Sequence, residues 1–242
     1  MTEKIRFPCE LALLLGLLLV AFAVCLFVES GFGVTVLSSI PLMWHYMCPV
    51  LDFGTWNIIY QVIILGICVC ISHKIKPSYL FGLGISIVFG AFLSLLKATL
   101  AILPNSLELD IIYLVCAHII LFFGVSFFMR CYLPLLPVDI FIREVVYTFK
   151  IKYKTVKTCF DVGCMVIAAA LGILFLGGIV DIGIGTVVSA FITGYFVARI
   201  TTRMYDEWFD FVPSTRLSAM LLSEDSPHYG EYRHSSGSGS GH

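Results

Sequence analysis

Six long apolar runs, separated by short polar segments, organise this sequence. They lie near residues 10–28, 55–73, 79–103, 110–129, 158–177 and 181–199. Each run is long enough to cross about 30 Å of hydrocarbon at about 1.5 Å per helical residue. Backbone groups must be paired inside lipid, and the alternation of a transmembrane barrel is missing. The pattern therefore predicts an all-α polytopic membrane protein with six transmembrane helices.

The composition agrees with this class. The chain has 242 residues, of which 59% are hydrophobic and 13% are charged, whereas soluble proteins carry about 25% charged residues. The net charge is −1, so no nucleic-acid partner is expected. The expected partners are the lipid bilayer and a small-molecule substrate, and a homo-oligomer stays open.

The two ends of the chain need separate treatment. Residues 235–242, SSGSGSGH, resemble an expression-tag remnant. The first apolar run extends to Val28, about 18 residues, which is longer than the core of a typical signal peptide. We therefore expect a first transmembrane helix here rather than a cleaved signal.

The basic residues predict the orientation. If the N-terminus is cytoplasmic, fourteen of the fifteen Lys and Arg residues fall in cytoplasmic segments, and Lys97 inside the third run is the exception. The positive-inside rule then places both termini in the cytoplasm of a bacterial cell, with the protein in its cytoplasmic (inner) membrane.

The two halves of the chain share a plan. Thr55 matches Thr155 and Gln61 matches Asp161 at an offset of 100, and Thr35 was paired with Asp139 at an offset of 104. At an offset of 101, a GLG motif matches a GIG motif, with these glycines: Gly82, Gly84, Gly183 and Gly185. Two consecutive halves with three spans each must be inverted relative to one another, as in many secondary transporters.

This repeat predicts the domain organisation. Residues 1–104 form the first three-helix repeat, 105–204 the second, 205–234 a cytoplasmic tail, and 235–242 the tag remnant. Each half also has a semi-polar segment between its first two spans, at residues 33–47 and 135–149. These segments are either interfacial or re-entrant, since re-entrant backbone is tolerated only where protein or water covers it.

Several of these motifs resemble those of the YczE/YitT-type bacterial membrane proteins. The resemblance covers roughly residues 10–205 and is carried mainly by Pro137-Val138-Asp139 and Gly183-Ile184-Gly185-Thr186. The first half departs from the family pattern: Thr35 stands where an acid is frequent, and Ile85 follows its GLG motif. The resemblance implies a small transporter, of a kind sometimes linked with export or production of secondary metabolites, and implies no particular substrate.

Polar residues near or within the spans are the candidate substrate- or ion-binding residues. Asp139 and Arg143 are four residues apart, so on a helix their side chains can meet. Together with Glu144 they either face the cytoplasm or line a cavity. The further candidates within or beside spans are Asp161, Gln61, Asn57, Lys97, His118 and Thr35.

Each of these further candidates has a structural alternative. Asp161 either reaches the interface or binds a proton or cation, because a buried acid in a span is costly. Lys97 either snorkels outward or pairs with an acid or an anionic substrate. His118 is either a hydrogen-bonded neutral residue or a proton relay. The four glycines of the GxG motifs serve helix packing or a helix break.

Motifs for catalysis are missing. There is no GxSxG, HExxH or P-loop sequence, the nine cysteines include no CxxC pair, and metal-ligand spacing is absent. We therefore expect no enzyme activity, no cofactor and no metal. The sequence predicts a transporter of a small organic solute that works by alternating access, with proton or cation coupling as a hypothesis. An accessory or scaffold protein, a membrane-embedded enzyme and a channel are the alternatives.

Overall fold

Helices make up almost the whole architecture. The computed structural model describes residues 5–73, 76–104, 106–130, 136–178, 180–200, 209–212 and 214. Along these ranges the helices are α1 (Cys9–Ser30), α2 (Val36–Met47), α3 (Phe53–Ser72), α4 (Pro77–Leu100), α5 (Leu107–Arg130), α6 (Pro137–Phe149), α7 (Tyr153–Leu171) and α8 (Ile184–Ile200). A π-helical turn, Gly172–Leu176, continues α7. The predicted all-α fold class is confirmed.

Five segments are long and apolar enough to cross a membrane. Their bounds are Cys9–Ser30, Phe53–Ser72, Pro77–Leu100, Leu107–Phe127 and Thr155–Leu176. They match the first five predicted runs to within a few residues and identify a membrane protein. The predicted sixth run overlaps α8, which has 17 residues and is shorter than these five.

The two semi-polar segments are short helices. Residues 33–47 contain α2 and residues 135–149 contain α6. Pro137 is the first residue of α6, where the missing N–H costs nothing. Buried residues lie in the first half of α6, whereas Tyr147 and Phe149 near its end are exposed. Therefore α6 enters the protein with its N-terminal end.

A small parallel sheet joins the two ends of the helical body. Strand β1 (Ile5–Pro8) leads directly into α1 and pairs with strand β2 (Phe209–Val212). The backbone N–H of Ser214 also donates to the carboxylate of Glu10, at 3.0 and 3.2 Å. The sequence pattern did not predict this pairing for the tail assigned to 205–234. Most of that tail, and the tag remnant, lie outside the described residues.

Asp52 caps α3 and ties it to α4. Its carboxylate accepts from the backbone N–H of Thr55 at 3.3 Å and also from the hydroxyl of Ser94 in α4. Removing such a cap costs about 1 kcal/mol. We expect Asp52→Ala to lower the free energy of unfolding by that amount. The change should appear as a lower thermal unfolding midpoint in detergent. Asp52→Asn retains an acceptor at the same place and should recover most of the loss; equal midpoints for wild type and Asp52→Ala would contradict the cap.

Candidate functional site

The N-terminus of α6 lies against the middle of α3. Gln61, the ninth of the twenty residues of α3, is 2% exposed, and its Oε1 accepts from the backbone N–H of Val138 at 3.3 Å. The first N–H groups of a helix have no partner within that helix, so Gln61 satisfies one of them from outside. Because α3 is about 30 Å long, α6 begins near half its length. The N-terminus of α6 therefore lies away from both ends of α3.

Polar side chains from three helices converge around this point. We call them the central polar cluster: Asn57, Tyr60 and Gln61 of α3, Asp139 of α6, and Lys157, Asp161 and Cys164 of α7. Asn57 lies one turn before Gln61, is 1% exposed, and its Oδ1 meets no hydrogen-bond donor among the described residues. A buried amide oxygen without a donor costs about 1–3 kcal/mol, so it marks a place where a partner can bind.

The contribution of α7 is partly neutralised. Lys157 Nζ lies 2.7 Å from Asp161 Oδ1, an ion pair between residues four apart on one helix face. The hydroxyl of Tyr60 lies 3.4 Å from the sulfur of Cys164 and links α3 to α7. Asp161 thus has a fixed partner inside the protein.

Asp139 has no such partner. Its side chain is half-buried in the first turn of α6, and it accepts no hydrogen bond from any described residue. Burial raises the pKa of Asp139 above the ordinary value of an aspartate, while the charges of Lys157 and Arg143 oppose that rise. Arg143 is exposed and forms no ion pair with Asp139. The contact that this spacing allows is not made, and Arg143 acts on Asp139 only at a distance.

Glu144 connects α6 to the start of α4. Its carboxylate forms an ion pair with Lys76, the residue that precedes α4, and only 13% of the Glu144 side chain is exposed. Glu144 therefore belongs to a contact between two parts of the fold and lies outside the central polar cluster.

A second group of charges lies near the N-terminal end of α3, whereas the Lys76–Glu144 pair lies beyond its C-terminal end. Lys97 Nζ of α4 is 2.6 Å from Glu29 Oε1 of α1, so this lysine pairs with an acid. Nearby, the Tyr46 hydroxyl of α2 donates to Asp181 Oδ2 at 2.5 Å. Burial raises the pKa of Asp181, and the hydrogen bond from Tyr46 partly offsets it. These four residues form what we call the outer polar cluster.

His118 uses both ring nitrogens. Its Nδ1 lies 2.8 Å from the carbonyl oxygen of Leu114, and its Nε2 lies 3.2 Å from the hydroxyl of Ser189 in α8. The ring of Phe27 approaches edge-on, with centroids 4.7 Å apart. This arrangement suits a neutral histidine that joins α5 to α8.

The GxG glycines serve different purposes. A Cβ on Gly183 would lie 2.4 Å from the carbonyl oxygen of Phe32, and Gly185 donates its N–H to the same oxygen at 3.0 Å. In the first half, Gly82 is buried, whereas a Cβ on Gly84 would meet nothing within 4 Å. Close backbone approach therefore explains the second motif, and it does not explain Gly84.

The loop between α1 and α2 crosses the start of α8 at those glycines. Val34 donates its N–H to the hydroxyl of Thr186 at 3.1 Å, and a Cβ on Gly33 would lie 2.5 Å from that hydroxyl. Thr35, the residue before α2, is half-buried and uses no side-chain oxygen to cap the helix.

Sequence reasoning missed several partners of the residues it named. The spacing of Lys157 and Asp161 was available as a signal, because ion pairs favour residues four apart. The pairs Lys76–Glu144 and Lys97–Glu29 join residues 68 apart, and no local pattern marks them.

An apolar surface groove is lined by Trp44, Met47, Cys48, Trp56, Ile59 and Ile63. Within the described ranges, no group of three or more His, Cys, Asp or Glu is arranged to hold a metal.

Comparison with known proteins identifies the family. No curated protein and no solved structure matches the chain. A family model does match, over residues 9–202, from the start of α1 to just beyond α8. Because this match covers most of the sequence, the chain belongs to the family of unknown function DUF6198.

Proposed function

We propose that this protein is a secondary transporter of a small organic solute in the bacterial cytoplasmic membrane. The observation that carries the proposal is the position of α6, whose N-terminus is held by Gln61 at mid-length of an apolar helix. Asp139 lies in the first turn of α6, and one turn before Gln61 the Oδ1 of Asn57 has no donor among the described residues. Helices that begin at mid-membrane, next to buried polar side chains, are typical of transporter binding sites. The resemblance to YczE/YitT-type proteins, which stays a prediction, points the same way.

Six crossings with both ends on one side fit the arrangement of the chain ends. Strand β1 directly precedes α1, and β2 follows α8 in sequence, so their pairing holds the entry and the exit of the helical body together. An even number of membrane crossings places both ends of the helical body on the same side. Five helices qualify by length, and α8 supplies the sixth with about 26 Å at 17 residues. The basic residues then favour cytoplasmic termini.

Helix order and packing support two inverted repeats. Helices α3 and α7 begin at Phe53 and Tyr153, and α2 and α6 at Val36 and Pro137. The packing pairs also correspond: α1 contacts α4 as α5 contacts α8, and α3 contacts α6 as α2 contacts α7. Counted from the helix starts, Asp139 corresponds to the buried Ser38, whereas the sequence alignment had paired it with Thr35. The acid of the second half therefore has no acidic counterpart.

Two contacts between the proposed halves fit the role of gates. Lys76, after α3, pairs with Glu144 of the second half, and Tyr46, before α3, bonds Asp181 of the second half. The two contacts lie at opposite ends of α3. The first joins α6 to the segment before α4, and the second joins α2 to the segment before α8. In alternating access one of them opens while the other stays closed.

Ligand binding and flux test this proposal. A thermal-shift screen of metabolites on the purified protein should find a solute that stabilises it, by about 2.7 kcal/mol at a hundred times its Kd. Gln61→Ala should abolish this stabilisation and the saturable uptake of that solute into liposomes, because the N-terminus of α6 loses its support.

The control changes the neighbouring residue. Val62 is 46% exposed, so Val62→Ala should leave binding and uptake intact. Passive flux that does not saturate would instead identify a channel. No flux, together with one stable partner in purification, would identify an accessory protein.

A further inference from the structure

We propose that Asp139 takes up and releases the proton that couples transport, and that Asp161 and His118 do not. These three residues are the sequence-based candidates for coupling, and they differ in what already binds them. This inference rests on the proposed function, because coupling requires a transported solute, but the protonation itself can be observed without one.

The surroundings of Asp139 favour an exchangeable proton. The neighbouring Val138 is tied to Gln61, which fixes the first turn of α6 against α3. The Asp139 carboxyl has no hydrogen-bond donor and no ion-pair partner among the described residues. A carboxylate taken out of water without such partners is unfavourable, so the neutral acid is preferred in this closed arrangement. The raised pKa of Asp139 agrees with that preference.

Charged and titratable groups of the surrounding elements act on Asp139 in both directions. They are Lys157, Asp161 and Cys164 on α7, Tyr60 on α3, Arg143 and Glu144 on α6, and Lys76 and Tyr79 at the start of α4. Lys157 and Arg143 favour the carboxylate, and Asp161 opposes it. Once water enters the cluster, solvation and the two cations together stabilise the Asp139 carboxylate. The Asp139 O–H bond then breaks, and the proton is transferred to water. The reverse step on the other side of the membrane reloads the acid.

Asp161 does not fit this role. Lys157 holds its carboxylate at 2.7 Å within the same helix. A proton that bound there would have to displace the lysine ammonium group from this pair. The Lys157–Asp161 ion pair therefore stays formed while Asp139 exchanges its proton.

His118 does not fit it either. Both ring nitrogens are already engaged, Nδ1 at hydrogen-bond distance from the carbonyl oxygen of Leu114 and Nε2 from the hydroxyl of Ser189. The rings of Phe27 and Phe122 flank the imidazole, with centroids 4.7 and 6.0 Å away. His118 therefore serves as a link between helices.

Infrared titration of the full chain tests the assignment without any substrate. We expect the carbonyl stretch of a protonated carboxyl group to persist above the ordinary titration range of aspartate and to disappear only as the pH is raised further. Asp139→Asn should lose this band, Asp139→Glu should keep one with a shifted midpoint, and His118→Gln should leave it in place. Asp161→Asn should move the midpoint to lower pH, because Asp161 raises the pKa of Asp139 and its removal frees Lys157. A band that survives unchanged in Asp139→Asn would overturn the proposal.

Thermal unfolding gives a second measurement with a defined sign. Because the pKa of Asp139 is raised in the folded protein, its contribution to stability is complete below the ordinary aspartate pKa of about 4 and is lost as the pH rises through the raised value. Asp139→Asn should flatten this dependence. A band assigned to Asp139 in a protein that moves no solute would refute the proposed transport and support the proton site. Saturable transport without such a band would support transport and refute the proton site.

Discussion

Replacing Gly183 by alanine is expected to unfold or strongly destabilise the protein. The new Cβ would lie 2.4 Å from the backbone carbonyl oxygen of Phe32, and a backbone atom cannot move aside as a flexible side chain can. Overpacking of this kind costs about 3 kcal/mol or more. The change would also separate Gly185 from its hydrogen bond to the same oxygen. The thermal unfolding midpoint and the monodisperse yield in detergent measure the loss.

Gly84 provides a matched control from the equivalent motif. It lies within α4, is exposed, and has open space where a Cβ would stand. Gly84→Ala should therefore be neutral or stabilising by up to about 1 kcal/mol, since alanine favours helix. Equal losses for the two variants would mean that the crossing of Phe32 over the start of α8 does not exist.

This contrast shows what a sequence motif can and cannot predict. The two GxG motifs are nearly identical in sequence, and the sequence analysis treated their glycines alike. Their surroundings differ, because only the second motif lies under another stretch of backbone. Glycine spacing records that close approach is allowed, and the tertiary fold decides whether anything approaches.

The spans were predicted well for a physical reason. Hydrophobic length is a local property, and a helix in lipid must satisfy its backbone within its own segment. Hence α1 and α3 lie close to the runs that predicted them, although neither boundary was exact. The boundary after α7 was harder, because the π-helical turn Gly172–Leu176 and the segment before Ile184 have the same apolar composition as a helix.

The partners of the polar residues could not be predicted in the same way. Asp139 and Arg143 have the spacing of an ion pair, but Arg143 is exposed while Asp139 turns toward the interior. Glu144, assigned to the same site, pairs with Lys76 instead. These outcomes depend on how α6 is inserted between α3 and α7, and that insertion is a long-range property of the fold.

Weakening the two proposed gates is expected to open the central polar cluster to opposite sides of the membrane. Glu144→Gln removes the charge partner of Lys76, and Tyr46→Phe removes the hydrogen bond to Asp181. A bond to a charged group contributes about 1–3 kcal/mol, equivalent to a 5–150-fold change in population. Lys76 is 43% exposed, so the effect of Glu144→Gln should be at the low end of that range.

Cys164 is a suitable reporter, because it is buried in the cluster beside Tyr60. In a background with the other cysteines replaced, a membrane-impermeant thiol reagent should label Cys164 faster from the cytoplasmic side in Glu144→Gln and faster from the outer side in Tyr46→Phe. Glu108→Gln and Tyr147→Phe make the same chemical changes at exposed residues and should leave both rates unchanged.

The direction of the two shifts carries the argument. A general loosening of the fold would raise labelling from both sides in both variants, whereas alternating access requires that each variant raise it from one side, and that the sides differ. Exchange of the charges, with Lys76→Glu and Glu144→Lys combined, should return the cytoplasmic rate toward that of the wild type. If the exchanged pair labels like Glu144→Gln, the Lys76–Glu144 contact does not hold the cytoplasmic side closed, and the two halves do not move as proposed.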